Sequence, residues 1–496
     1  AFYKLLKLTN KFYMLGPMVK SVPEDFAQKF QFRWYHTNFS TVAVDEIKVG
    51  VPAKAKKEEK QQALFDLLDS LTEPTLIYCS APAKTTQLAV EYAKRLQSPE
   101  NVDEQEIYPS LVGEMIEWIG ENLHPEWSLI SALKNKVGFH HGALPRHLGS
   151  TIVDAFNEGE IQHLFCTSTL IEGVNTTAKN VVLFDQKKGR KAIDYFDYKN
   201  ISGRSGRMKI HYTGNVYTFS EEPDQIELDV DIPVITQQAA PEELLIQIDE
   251  KELKSESKDK IAEFTNLPDD VQNLIRSNAG VNIKGQLAIL ELVEKDYQAL
   301  HQVMSWTGFP KYPQLLPVIE MAWKYLLDGK PYASIRRDKH LATRAIQYSI
   351  YKSVGGVIQN QVADEYWLRQ IPDDQERINQ VTFDTLNCTR HWFDYKLSKI
   401  LVAVSNIQEH VFNKHGLPPG DYTFFASQLE NGFLSPNHAM LMEYGIPHSA
   451  IIKLKNFLDP NHTPQQMLML LRHADFLDRI GLLNYEKRKV RAALQG

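Results

Sequence analysis

Three short motifs within residues 140–207 carry the side chains best suited to chemistry. They are HHGALP (His140 to Pro145), TSTLIEGVN (Thr167 to Asn175) and NISGRSGR (Asn200 to Arg207). The last sets Arg204 and Arg207 three residues apart, each after a glycine. On a helix, positions i and i+3 share a face, so a helix here would point both guanidiniums the same way. Gly203 and Gly206 put no Cβ in the approach, which lets a ligand or an opposing backbone come close. Paired guanidiniums suit a nucleoside triphosphate, whose γ-phosphoryl gathers negative charge during transfer. A capped surface helix with two solvated arginines is the plainer reading of the same residues. In the second motif, Thr167, Ser168 and Thr169 follow an apolar run. Hydroxyls at a strand's end donate to phosphate oxygens, which positions a nucleic-acid backbone without reading bases, or they cap the next helix. His140 and His141 are adjacent at a strand's end and point to opposite sides, with no Cys/His spacing beside them, so no metal site is expected. One is expected to pack and the other to lie near a nucleic-acid groove.

Taken together, FHHGALP, TSTLIEGVN and NISGRSGR resemble the second RecA-like lobe of a superfamily-two helicase, and within that group the superskiller-type branch of DNA-repair and exosome-associated RNA helicases. The resemblance runs over roughly residues 10–220. It implies ATP and Mg2+ as cofactors, a DNA or RNA strand as partner, and travel from 3′ to 5′. It assigns Arg204 and Arg207 to the γ-phosphate, and Gly173, Asn175, Asn200 and Gly203 to the nucleotide. Ser80, His141 and Thr167 to Thr169 fall to the strand. Asn175 stands where related helicases often carry aspartate, and Asn200 where this branch often has glutamine. In such helicases a later helix lies along the threaded strand; the helix expected over Thr389 to Asn413, with Arg390 and Lys396 near its start, matches that part. The helical tail loosely resembles helicase subunits of anti-phage systems such as Hachiman, which implies a nuclease effector as partner.

Two departures accompany the resemblance. No GxxxxGK[ST] loop and no DExH or DExD box occurs in the 496 residues. A phosphate loop supplies the amides and lysine that cradle the β- and γ-phosphates, so these residues alone are expected to hydrolyse ATP poorly, with magnesium held mainly by a first lobe elsewhere. Leu15 to Met18 also stand where Ser-Ala-Thr usually ends that first lobe.

The surrounding elements must position these motifs. TLIYCSAP (Thr75 to Pro82), IQHLFCTSTL and VVLFDQ read as buried parallel strands, with TTQLAVEYAKRLQ and LGSTIVDAFNEGE as crossover helices. Such units put ligands at the carboxyl ends of the strands. KKGRK, Lys187 to Lys191, is a basic loop that either contacts phosphates or is solvated. From about residue 263 apolar positions recur at i, i+3, i+4 and i+7, which predicts helices only. Among them, Ser334 to Ser353 interleaves Arg336, Arg337, Lys339 and Arg344 with Tyr348 and Tyr351, a pattern open to a single-strand contact or a solvated face.

Composition bounds the rest. A formal net charge of −7 gives no global basic signature, so strand contacts must come from a local groove. Cys79, Cys166 and Cys388 are widely spaced, which argues against a disulfide framework and for a reducing cytoplasm. No apolar run reaches the ~18 residues of a membrane span. The expected architecture is an α/β, RecA-like parallel-sheet lobe followed by a large all-α domain. Its expected boundaries are 1–50 for a remnant of a preceding lobe and linker, 51–220 for the helicase lobe, 221–262 for a charged linker and 263–496 for the helical domain. The expected function is the C-terminal half of an ATP-dependent helicase or translocase, with a non-catalytic clamp or an effector scaffold as the alternatives.

Overall fold

TLIY, HLFC and NVVL are buried at every position, as strands covered on both faces must be. The structure is a computed structural model. It describes residues 43–496 apart from 53–54, 98–109, 172–175, 190, 207–212, 225–227, 230–232, 328, 473–474 and 496, with short stretches before residue 43. The three runs form the centre of a six-stranded sheet. Its strands are β1 (Ala43–Lys48), β2 (Thr75–Tyr78), β3 (Val137–His140), β4 (His163–Cys166), β5 (Asn180–Leu183) and β6 (Thr213–Thr218), in the order β1-β6-β5-β2-β4-β3. Every neighbouring pair is parallel, with Thr75 to Tyr78 of β2 opposite both His163 to Cys166 and Asn180 to Leu183. Helices α1 (Lys57–Ser70), α2 (Pro82–Leu96), α3 (Leu111–Asn122), α4 (Ser128–Lys134), α5 (Arg146–Asn157) and α6 (Tyr195–Ser202) run between them. This is the expected RecA-like α/β lobe, and the chain beyond residue 263 is helical.

The boundaries depart from those expected. Residues 43–48, assigned by sequence to the stretch of lobe remnant and linker, are the edge strand β1, paired from Ala43 opposite Thr213 to Lys48 opposite Thr218. All six are exposed, so β1 carries no core signature. The stretch read as a charged linker instead buries Leu245, Ile246, Ile248 and Ile261 in a small core shared with Phe264, Ile275 and Ile283 of the helical region. Its charges lie on the outer faces of short helices and hide that pattern.

The chain divides into two compact units. One comprises residues 39–225, 351–391 and 431–496, and the other 1–38, 226–350 and 392–430. The helical region is therefore shared out rather than forming one domain over 263–496. In the first unit Ile358, Ile378, Val381, Leu386 and Tyr485 join the core around the sheet. Helical periodicity shows that a face is buried, not which core buries it. The helix Asn484–Ala493 is fixed to the lobe by a polar chain. Trp118 Nε1 donates to Ser449 Oγ at 3.0 Å, Ser449 donates to the fully buried Glu486 at 2.5 Å, and Lys453 pairs with Glu486 at 2.7 Å. In the second unit Trp306 stacks on Tyr422 at 4.0 Å, and the buried Gln408 amide both donates to Gly420 O and accepts from Gly420 N.

Gly214 of β6 ties the sheet to the third motif. A Cβ at Gly214 would lie 2.7 Å from Gly206 N and closer still to the carbonyl carbon of Ser205. Backbone cannot yield as a side-chain tip does, so Gly214→Ala is expected to cost about 1–3 kcal/mol. A urea midpoint equal to the parent's would show that the motif does not rest on this strand.

Candidate functional site

Because the sheet is parallel, the loops after β2, β3, β4 and β5 leave from one edge, the edge at which such sheets hold ligands. Ser80, His141, Thr167 to Thr169 and Asp185 all lie there. Thr167 is buried; its amide donates to His140 O at 3.2 Å and its hydroxyl shares a 3.0 Å hydrogen bond with Thr169. Ser168 is half-buried at the start of the short helix Ser168–Ile171, and Thr169 is exposed. The three hydroxyls thus divide, Thr167 bracing the turn and Thr169 facing out.

His141, expected against nucleic acid, is the packed histidine. It stacks on Phe139 at 5.9 Å and meets Phe383 edge-on at 5.7 Å. Burial, with His140 beside it, pulls its pKa down to about 3, and burial pulls His140 to about 4. Both are neutral at neutral pH and carry no charge for a phosphate. The period of two already put His141 on the side of Phe139, in the core.

Sequence reasoning missed a charged corner at the same edge. Asp185 follows Phe184 at the end of β5. One of its carboxylate oxygens accepts from the Ser80 amide at 2.8 Å and the other from Lys84 at 2.5 Å. The Lys84 and Lys60 ammoniums lie over the Phe184 ring at 4.6 and 4.8 Å. The available signal was an acid closing a buried strand, VLFD, together with a lysine four residues after Ser80.

The third motif lies elsewhere. Asp194 caps α6 by accepting from Asp197 N at 2.8 Å, and the helix ends at Ser202 with Gly203 as its C-cap. Arg204 therefore stands in a turn after a helix, not on the helical face expected. Gly206, at φ 76°, donates to Ala178 O at 2.8 Å, which puts the turn where β5 and β6 begin. Asn200 is half-buried on the last turn of α6 and Gly203 is exposed. Arg204 is half-buried, and desolvation pulls its pKa below the usual arginine range. Arg207, Gly173 and Asn175 lie outside the described residues.

The remaining candidates do not gather into one site. Within KKGRK, Lys187–Lys188 pairs antiparallel with Lys191–Ala192, and Lys188 pairs with Asp197 at 3.2 Å; Arg190 lies outside the described residues. The helix expected over Thr389 to Asn413 is broken, with a π-helical turn at Thr389–Phe393 and an α-helix at Lys396–Lys414. Arg390 is exposed in one unit. Lys396 lies in the other, its ammonium over Tyr332 at 4.3 Å and Trp392 at 4.8 Å. In Ser334 to Ser353, Arg336, Arg337 and Lys339 are exposed, whereas Arg344 is buried and Tyr348 stacks on Phe393 at 4.9 Å. That interleaving is split between core and surface.

Residues 117–209 match the helicase conserved C-terminal domain. The lobe is the C-terminal lobe of a superfamily-two helicase. Across 470 residues the chain is 29% identical to Anti-bacteriophage protein B of Escherichia coli (strain K12), covering 92% of this chain and 62% of that protein. It is 32% identical over 103 residues to the ATP-dependent DNA helicase Hel308 of Aeropyrum pernix, covering 20% of this chain and 14% of that helicase. It is 26% identical over 217 residues to the DExH-box ATP-dependent RNA helicase DExH9 of Arabidopsis thaliana, covering 41% of this chain and 22% of that one. The chain spans less than two thirds of the length of each.

The helicase lobe suits one end of a nucleotide. A half-buried guanidinium has lost part of its hydration, so an approaching phosphate is screened less than in water. Arg204, with Asn200 and Gly203 on the same turn, would hold a nucleotide's phosphates if one bound there. Among the described residues no three His, Cys, Asp or Glu side chains gather as ligands for Mg2+. No helix among the described residues is long and apolar enough to cross a membrane.

Proposed function

We propose that this chain is the C-terminal half of an ATP-dependent nucleic-acid translocase that travels 3′ to 5′ and serves in defence against phage. The likeness to Anti-bacteriophage protein B over 92% of the chain carries the defence reading, since it takes in the helical segments as well as the lobe. The motor reading is supported by helicase motifs arranged on a parallel sheet. Thr169 and Ser80 are the strand contacts, and Arg204 and Arg207 the nucleotide contacts. Thr169 and Ser80 follow the carboxyl ends of their strands and the turn of Arg204 lies beside the start of β5, so a change of grip at the nucleotide can be passed through the sheet to the strand. Only a ligand that binds one lobe arrangement better than the other drives such a change. A nuclease effector held by the helical segments belongs to the same reading.

The test is strand-stimulated ATPase of the full-length protein, with unwinding assayed on duplexes bearing a 3′ or a 5′ overhang. Turnover that rises with added strand, and unwinding from the 3′ overhang, are the expected results. Thr169→Ala is expected to weaken strand binding to a similar degree for all sequences, as loss of a phosphate contact does. Strand binding without any stimulated turnover would favour the clamp, an alternative motivated by the missing phosphate loop.

A further inference from the structure

We infer that the tight turn Tyr332–Ile335 in the second unit, with the two arginines that follow it, is a site for one nucleotide, the Tyr332 ring taking the base and Arg336 and Arg337 the phosphate. The nucleotide is either free or part of a strand; only the second source rests on the reading that this chain holds nucleic acid. Tyr332 and Ile335 exchange both backbone N–H···O bonds at 2.9 Å, which closes a two-residue turn. Such turns need positive φ at both central residues, hence their preference for Asn-Gly. Here Ala333 and Ser334 hold φ 45° and 65°. A Cβ makes that backbone costly, so its surroundings must hold it. The fully buried Trp392, itself stacked on Trp323 at 5.8 Å, does so by donating its Nε1 to Tyr332 O at 3.1 Å. What the strained turn presents is a ring at the surface. Tyr332 is 46% exposed, with the Lys396 ammonium over its ring at 4.3 Å. A ring fixed in advance loses little freedom when a base stacks on it.

The charge beside that ring is lopsided. Arg336, Arg337 and Lys339 follow the turn directly and are exposed. Between Tyr332 and Arg344 the sequence holds one acid, Asp338, and its carboxylate accepts from the Lys339 amide at 2.6 Å. His340 reports the resulting field. Burial pulls its pKa down to about 4, and the charges that add to this are Arg344, Arg336 and Arg337, with no carboxylate among them. The neutral imidazole accepts from Arg344 Nε at 3.2 Å, which leaves it no charge to share with a ligand. A merely solvated basic face needs neither a strained turn nor a ring fixed at the surface. Guanidinium forks match phosphate oxygens two at a time. Cations next to an exposed aromatic ring are the pairing that holds a nucleotide without reading its base.

The experiment titrates the 496-residue chain with labelled oligo(dT), read by fluorescence anisotropy across a salt series, and with AMP and dTMP, read by calorimetry. Comparing the oligomer with the mononucleotides separates a strand from a free nucleotide as the source. Tyr332→Ala is expected to weaken binding about tenfold, the loss of one stacked base, whereas Tyr332→Phe keeps the ring and the parent's affinity. Arg336→Gln combined with Arg337→Gln is expected to make the log–log salt slope for oligo(dT) shallower by about 0.7, the increment for one phosphate of a single strand. Unchanged affinity and slope in these variants, with binding weakened by Thr169→Ala, would overturn the turn as a site and leave the strand reading standing. Equal losses in Tyr332→Ala and Tyr332→Phe would overturn the stacking. Binding of AMP or dTMP that depends on Tyr332, with no binding of oligo(dT), would support the site and count against the strand reading. A parent that binds none of the three would overturn both. Should thermal melting show Tyr332→Ala unfolded, the exposed arginine pair decides, and unaltered oligomer and mononucleotide binding there sinks the site.

Discussion

Alanine at Arg204 or Arg207 is expected to lower the strand-stimulated kcat of the full-length protein about 10³-fold or more, with little change in KM for ATP. On the proposed reading both guanidiniums meet charge that builds on the γ-phosphoryl in the transition state. Removing such a contact lowers kcat rather than ground-state binding. Arg204 is suited to this because it is half-buried, where a charge interaction outweighs its value in water. Arg204→Lys sharpens the test, since lysine keeps the charge and loses the planar fork; partial recovery is expected. Unaltered kcat combined with weaker strand affinity would move both arginines from the nucleotide to the strand.

What could be read in advance depended on how each residue expresses its burial. The central strands β2, β4 and β5 declare themselves because four consecutive apolar residues need cover on both faces. The edge strand β1 has no such need and was left outside the helicase lobe, in the stretch of remnant and linker. The third motif's helix was misplaced in the sequence reading. Gly203 ends α6, so Arg204 stands beyond the helix expected to carry it. The rule that parallel sheets bind at their carboxyl edge predicted the place of Ser80 and Thr169, but not that of Arg204, whose turn is held beside Ala178 where β5 begins. Asp185 closes a buried strand, which was a signal, but its pairing was not legible because its partners lie 105 and 101 positions away in the chain. The division into units was illegible for a similar reason, since Tyr485 reaches the sheet's core from the far end of the sequence.

Acidification from about pH 7.5 to about pH 5.5 is expected to remove about 5 kcal/mol of stability from the unit that contains the sheet. Burial holds His141 and His147 at about pKa 3 and His140 and His163 at about 4. In the unfolded chain each titrates near 6.5. The folded values are lower, so between these limits the unfolded state binds more protons and stability falls as pH falls. The contribution is fully present above about 6.5 and is drained progressively toward the folded values. One unit below 6.5 each histidine accounts for about 1.4 kcal/mol, a loss comparable with the whole stability of a marginal domain. His147 shows why protonation is resisted. Its Nδ1 shares a 2.9 Å hydrogen bond with Tyr485, and Lys489 and His448 add their charge to the effect of burial. Lowered carboxylates of the same unit titrate elsewhere: Asp459, held down by hydrogen bonding from Asn461, and Asp478, by hydrogen bonding from Lys487, lose their charge only below the ordinary carboxylate range, outside this window. Hydrogen exchange of Val137–His140 and His163–Cys166, with urea unfolding at both pH values, reads the change where the histidines sit. His141→Gln removes one group from the titration and should flatten the loss by about a quarter. Identical midpoints and protection at the two pH values would mean that these imidazoles are not held neutral by the fold.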